Sequence, residues 1–288
     1  MVILKQAKKQ EVNDVLDKAK KEYLLACLNA AENEREYVAA MTLEELLFFV
    51  RKKKENGHPI TRELYDELIG KIKGHNNWFI LVTKDHLMPF MTEHRGFLFT
   101  DEKIAAAAMR VYEATGETTR MVSVAELGEN AFDRLSRFGA ETVSINKGDE
   151  AAVVLRVNEL SENGPWENVE LNYAVAQMSK AVSDKDSESI NFYYRELQRL
   201  FATTEIYFCK NDQNDIFTSA VNYEDGSQEE CACLFTDRTE FIHHHGMQEI
   251  AMAKAYLKDI MEQHPELNTY VLNPSNNIVL IRPDMGYV

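Results

Sequence analysis

From about residue 5 to residue 40, apolar side chains recur at three-and-four spacing: Val12, Val15, Leu16 and Ala19, then Tyr23, Leu24, Cys27 and Leu28. That period lays them along one stripe and predicts a helix. Thr42-Leu43-Glu44-Glu45 reads as a capping box, in which hydroxyl and carboxylate satisfy each other's backbone amides. It opens a helix through Leu46, Leu47, Phe48 and Val50 to a basic run, Arg51 to Lys54, placed where cations suit the helix dipole. Gly57-His58-Pro59 breaks the chain, and Leu64, Leu68, Ile69 and Ile72 mark a further amphipathic helix over Thr61 to Lys73. The period then changes. Trp78 to Val82 and Gly96 to Phe99 are short apolar runs of the strand type. Thr100 is expected to cap a helix that carries Asp101 and Glu102 in its first turn. Arg120 to Val122 predicts a short strand, and Ser123-Val124-Ala125-Glu126 a second capping box, starting a helix that ends at Gly139. Thr142 to Asn146, the Lys147-Gly148 turn and Ala152 to Leu155 predict a β-hairpin.

After a polar, turn-rich stretch at 158–168 the same order of events begins again. Leu46 to Val50 is answered by Leu171 to Val175, and Leu64-Tyr65 to Ile69 by Phe192-Tyr193 to Phe201. Trp78 to Leu81 is answered by Glu205 to Phe208. Gly96-Phe97-Leu98-Phe99-Thr100-Asp101 is answered by Ala232-Cys233-Leu234-Phe235-Thr236-Asp237, and Val143 to Lys147 by Tyr270 to Pro274. The offset is about 128 residues at either end and about 136 in the middle, so the second copy is expected to carry a longer hairpin, with Asp225-Gly226 at its tip. Five landmarks in the same order predict two tandem repeats. The expected fold class is α+β, each repeat being a mixed, largely antiparallel sheet covered on one side by helices. The expected organisation is an N-terminal helical extension over 1–41, a first unit over 42–157, a linker over 158–167 and a second unit over 168–288.

At Leu234-Phe235-Thr236-Asp237 and Val271-Leu272-Asn273-Pro274-Ser275 the chain resembles the SseB, or enhanced-serine-sensitivity, family of bacterial proteins. The second unit follows that pattern over roughly 168–284. The first, over roughly 42–157, keeps Phe-Thr but has Asn146-Lys147 in place of Asn-Pro, and residues 1–41 lie outside the resemblance. The resemblance implies a fold and a bacterial, cytoplasmic setting; it carries no catalytic set and no cofactor.

Composition narrows the function classes. The net charge is −15, which disfavours nucleic-acid backbones and anionic membrane surfaces as partners. The charge is unevenly placed: residues 1–74 hold 14 Lys and Arg against 13 Asp and Glu, and residues 161–230 hold 5 against 14. That acidic stretch is a candidate docking face for a basic protein. The start, Met1 to Gln6, runs into charged sequence with no signal-peptide core. Four cysteines are too few for a disulfide scaffold in 288 residues, and Cys233, aligned with Phe97, is expected to face the core. No glycine-rich phosphate loop, Gly-x-Ser-x-Gly or His-Glu-x-x-His occurs.

What remains is a short set of candidates. The Asn146 and Asn273 turns, with Pro274, are candidate contact points because loops carry binding more often than cores. His243-His244-His245 invites a metal reading, but neighbours on a helix diverge by about 100° and cannot all reach one ion. His86 and His94, near Asp85 and Glu93, could serve acid–base chemistry. The leading expectation is a non-catalytic interaction or regulatory module; the competing one is a metal-assisted or acid–base hydrolase using His243–His245 or the His86/His94 loop.

Overall fold

The computed structural model describes residues 16–28, 34–84, 87–211, 215–222, 226–246, 251–275 and 279–282. They divide into two compact units. One is drawn from Met1–Val82, Pro89–Ser136 and Ala140–Gly164, the other from Thr83–Met88, Arg137–Gly139 and Pro165–Val288. The class is α+β.

In the first unit, helices α1 (Lys18–Cys27), α2 (Glu34–Ala40), α3 (Leu43–Glu55) and α4 (Arg62–Gly74) precede strands β1 (Phe79–Thr83) and β2 (Arg95–Phe99). Helix α5 (Glu102–Ala114), strand β3 (Thr119–Ser123), helix α6 (Ala131–Arg137) and the pair β4 (Thr142–Ile145) and β5 (Val153–Arg156) follow. Where one helix is expected over about 5–40, the described residues hold two, α1 and α2; residues 1–15 and 29–33 lie outside the described set. The capping box of α3 forms: Glu45 N–H donates to Thr42 Oγ1 at 3.3 Å, and Thr42 N–H to Glu45 Oε2 at 3.1 Å. The basic run does more than face the helix dipole. Lys53 is buried and pairs with Glu34 of α2 at 2.5 Å, pinning α2 to α3.

The helix expected from Ser123 to Gly139 is two pieces. Val124–Leu127 is a 3-10 turn without a side-chain cap, and Gly128 closes it at φ 67°, a left-handed conformation that a helix cannot continue through. Asn130 then takes up the N–H groups of Phe132 and Asp133 at 2.8 and 3.3 Å and starts α6.

The first sheet runs β3-β1-β2-β4-β5. Strands β1 and β2 are antiparallel (Phe79 opposite Phe99), β2 and β4 parallel (Leu98 beside Ile145), and β4 and β5 antiparallel (Ser144 opposite Val154). Helices lie on both faces of it, not on one. Phe97 and Phe99 join Leu81, Phe90, Ile104, Ala105 and Tyr112 in a core under α5. Strand alternation turns Gly96 and Leu98 the other way. There Leu135 of α6 comes so close to Gly96 that a Cβ on it would lie 2.4 Å from a leucine methyl. A side chain at Gly96 would force Leu135 to move.

In the second unit, α7 (Val169–Asp184) and α8 (Ser187–Thr203) lead into β6 (Glu205–Lys210), β7 (Thr218–Asn222), β8 (Gln228–Phe235) and α9 (Arg238–His245). Strand β9 (Ala251–Tyr256), helix α10 (Leu257–Gln263) and strands β10 (Tyr270–Leu272) and β11 (Val279–Ile281) complete it. The sheet order is β9-β6-β8-β10-β11. The same senses recur: β6 and β8 antiparallel (Tyr207 opposite Phe235), β8 and β10 parallel (Leu234 beside Leu272), β10 and β11 antiparallel. The extra length in this half is the β7–β8 hairpin, paired from Thr218–Ala232 to Asn222–Gln228. Gly226 carries φ 81° beside it, while Asp225 lies outside the described residues.

Candidate functional site

In both units the parallel central strands end side by side, and the residues there form the same constellation. Asn146 follows β4 at φ 53° and Asn273 follows β10 at φ 51°. Asparagine tolerates this left-handed conformation better than other non-glycine residues. Each backbone N–H reaches across to the neighbouring strand, Asn146 to Leu98 O at 2.9 Å and Asn273 to Leu234 O at 2.8 Å. Each side chain then clamps a threonine. Thr100 N–H donates to Asn146 Oδ1 at 2.9 Å and Asn146 Nδ2 donates to Thr100 Oγ1 at 3.0 Å. The second unit has 2.9 Å for both contacts between Thr236 and Asn273. This assigns different jobs from those expected. The helix caps are the aspartates: Asp101 accepts from Lys103 and Ile104 N–H, and Asp237 from Glu240 N–H. Asn146 and Asn273 are buried, at 0% and 1% exposure, so their side chains offer no contact surface; Pro274 beside them is half-buried.

His243, His244 and His245 occupy the last turn of α9. The His244 and His245 rings lie 4.6 Å apart but bond different partners: His244 Nδ1 meets Ser275 Oγ at 2.9 Å, and His245 Nε2 meets Cys209 Sγ at 2.6 Å. Phe235 and Phe241 pack on the His245 ring at 5.4 and 4.8 Å. Cys209, Cys233, Tyr207, Phe235 and Phe241 form one core cluster, so Cys233 does face inward. Burial pushes the Cys209 thiol up to about 12, which keeps it protonated and leaves no thiolate nucleophile beside the imidazole. Cys231 is the exception: a hydrogen bond from Cys233 holds its pKa below the ordinary value. Among the described residues no three His, Cys, Asp or Glu side chains are gathered to hold a metal ion. His94 sits in a turn at φ 57° with its carbonyl accepting from Glu141 and Thr142 N–H; His86 lies outside the described residues.

No family model, curated protein or solved structure matches this chain.

Two features carry no clear sequence signal. Arg137, at 0% exposure, donates to Asp237 Oδ2 at 3.1 Å and to Glu240 Oε1 at 2.6 Å inside the second unit. Phe192 of α8 is 61% exposed and stands edge-on to Tyr193, ring centroids 5.0 Å apart. Among the described residues no helix is long and apolar enough to cross a membrane.

The histidines give a pH prediction. Burial lowers the pKa of His244, and burial together with His244 lowers that of His245, from an ordinary 6.5. A folded-state pKa below the unfolded one contributes stability that is present above pH 6.5 and lost as the pH falls through the folded value. Thermal melts should therefore show the wild type losing stability on acidification below pH 6.5 by more than a His244→Gln, His245→Gln variant does. Identical acid slopes would contradict this.

Proposed function

We propose that the chain is a non-catalytic, cytoplasmic protein-interaction module of the SseB type. Its two units descend from one ancestral unit, and its partner is a basic protein. The shared sheet order, strand senses and Asn–Thr clamps support common descent. The observation that carries the interaction reading is Phe192. A phenylalanine left 61% exposed on a helix, with Glu188 one turn before it and Glu196 one turn after, combines an aromatic anchor with acidic surroundings. Val182 at the end of α7 is likewise half exposed. The stretch of 14 acids against 5 bases over 161–230 supplies the field that would steer a basic surface towards that anchor.

The experiment is affinity capture from the native cytosol, with wild type and Phe192→Ala side by side and at low and high salt. The expected result is a basic protein retained by the wild type, released as salt rises and lost with Phe192→Ala. A set of retained proteins indifferent to both salt and the substitution would sink the reading.

A further inference from the structure

In the first unit, the turn that follows Asn146 closes over α5 and leaves a cavity of about 200 Å³. Its wall is Ile104, Ala108, Val111 and Tyr112 of α5, and its rim is Lys147, Gly148 and Asp149. Small side chains at Ala107 and Ala108 are what leave the space open. Lys147 does not behave like a surface lysine. Its ammonium lies over the rings of Phe97 (4.7 Å) and Tyr112 (5.0 Å) and donates to Tyr112 Oη at 2.7 Å. Among the described residues no carboxylate lies within ion-pair distance of it. The nearest acid in sequence, Asp149, turns Oδ1 back onto Ala151 N–H at 2.7 Å.

Folding does not require a lysine here. The clamp residue is the same in both units, but the residue after Asn273 is Pro274. Lys147 is thus a first-unit addition placed on the lip of an apolar hollow. Desolvation, with a smaller contribution from Arg95, lowers its pKa, the mark of a cation short of counter-charge. Burial pushes the Tyr112 phenol well above its ordinary range, so its O–H persists as a second donor at the same rim. A cavity of this size falls below the ~300–1,000 Å³ of drug-sized ligand sites, so the occupant is small.

We propose that this cavity binds a small carboxylate with an apolar tail, the tail against Ile104, Ala108 and Val111 and the carboxylate ion-paired with Lys147. The proposal goes beyond the interaction reading and does not depend on it.

Isothermal titration calorimetry on the full chain tests it, with hexanoate as probe and hexan-1-ol as its uncharged match. Hexanoate should saturate with a Kd of about 1 mM or tighter, as expected for so few contacting atoms, and hexan-1-ol should bind at least tenfold more weakly. Lys147→Met keeps the stem over the aromatic rings and should weaken hexanoate at least tenfold. Ala107→Leu, at a half-buried position, fills the cavity while keeping Lys147, and should also weaken hexanoate at least tenfold. Circular dichroism confirms that each variant is folded. If Lys147→Met does not fold, Ala107→Leu alone decides. No hexanoate binding to the wild type, or unchanged binding in a folded variant, overturns the proposal.

Discussion

Arg137→Met should lower the stability of the protein by about 3–5 kcal/mol, the cost of removing one partner from a buried ionic group. The guanidinium is fully buried, stacks on Phe138 at 4.6 Å and is the cation facing Asp237 and Glu240, which are themselves 4% and 0% exposed at the side chain. Methionine keeps the apolar stem of the side chain but leaves two carboxylates in a dry site. Asn172 softens the loss at Asp237, since its Nδ2 donates to Asp237 Oδ2 at 2.6 Å. Adding Glu240→Leu to Arg137→Met should recover part of the loss, because it removes one of the two buried carboxylates that Arg137 pairs with. Urea denaturation of the three proteins measures this. A loss below about 1 kcal/mol for Arg137→Met, the scale of an exposed pair, would show that water reaches the site.

The second large effect is expected at the clamps. Asn146→Ala and Asn273→Ala should each cost about 2–5 kcal/mol. Part of that is the Thr100 or Thr236 N–H left buried without an acceptor, worth about 1–3 kcal/mol. The rest is the left-handed backbone at φ 53° and 51°, which alanine adopts at a cost of roughly 1–2 kcal/mol. Glycine separates the two contributions. It removes the clamp but relaxes the backbone, so Asn146→Gly should be less damaging than Asn146→Ala by about 1 kcal/mol. If the two substitutions cost the same, backbone conformation plays no part. If both cost under 0.5 kcal/mol, the clamp does not hold the strands. Since the clamps are equivalent, the two positions should respond alike.

How much of this was legible beforehand follows from what each feature depends on. The strands were readable because Trp78 to Val82, Gly96 to Phe99 and their counterparts are apolar runs too short for helices, and burial on both faces explains why they are continuous instead of alternating. The correspondence of Asn146 with Asn273 was also visible, because the expected repeat sets them in register. Their role was not: the hydrogen bonds to Thr100 and Thr236 span 46 and 37 residues, and no local pattern encodes a contact at that range. The same limit hid the contact of His245 with Cys209, 36 residues away. Asp101 was overlooked as a cap because Thr100, one residue earlier, is an equally good capping type. The helix from Ser123 was overextended because the capping-box pattern continues into helix-forming residues, and the break rests on a single glycine, Gly128, at φ 67°. Arg137 gave no warning at all. An arginine ending a helix looks like a surface cation until its partners, 100 and 103 residues downstream, are placed around it.

That separation has a consequence for how the chain is made. Asp237 and Glu240 do not yet exist when Arg137 leaves the ribosome. At about 5–20 residues per second, Arg137 waits on the order of 5–20 s for them. Throughout that interval the guanidinium must stay hydrated, and the short segment Arg137–Gly139 cannot take its final place. A nascent chain stalled before α9 should therefore hold this segment open to protease, while one released past Glu240 should protect it.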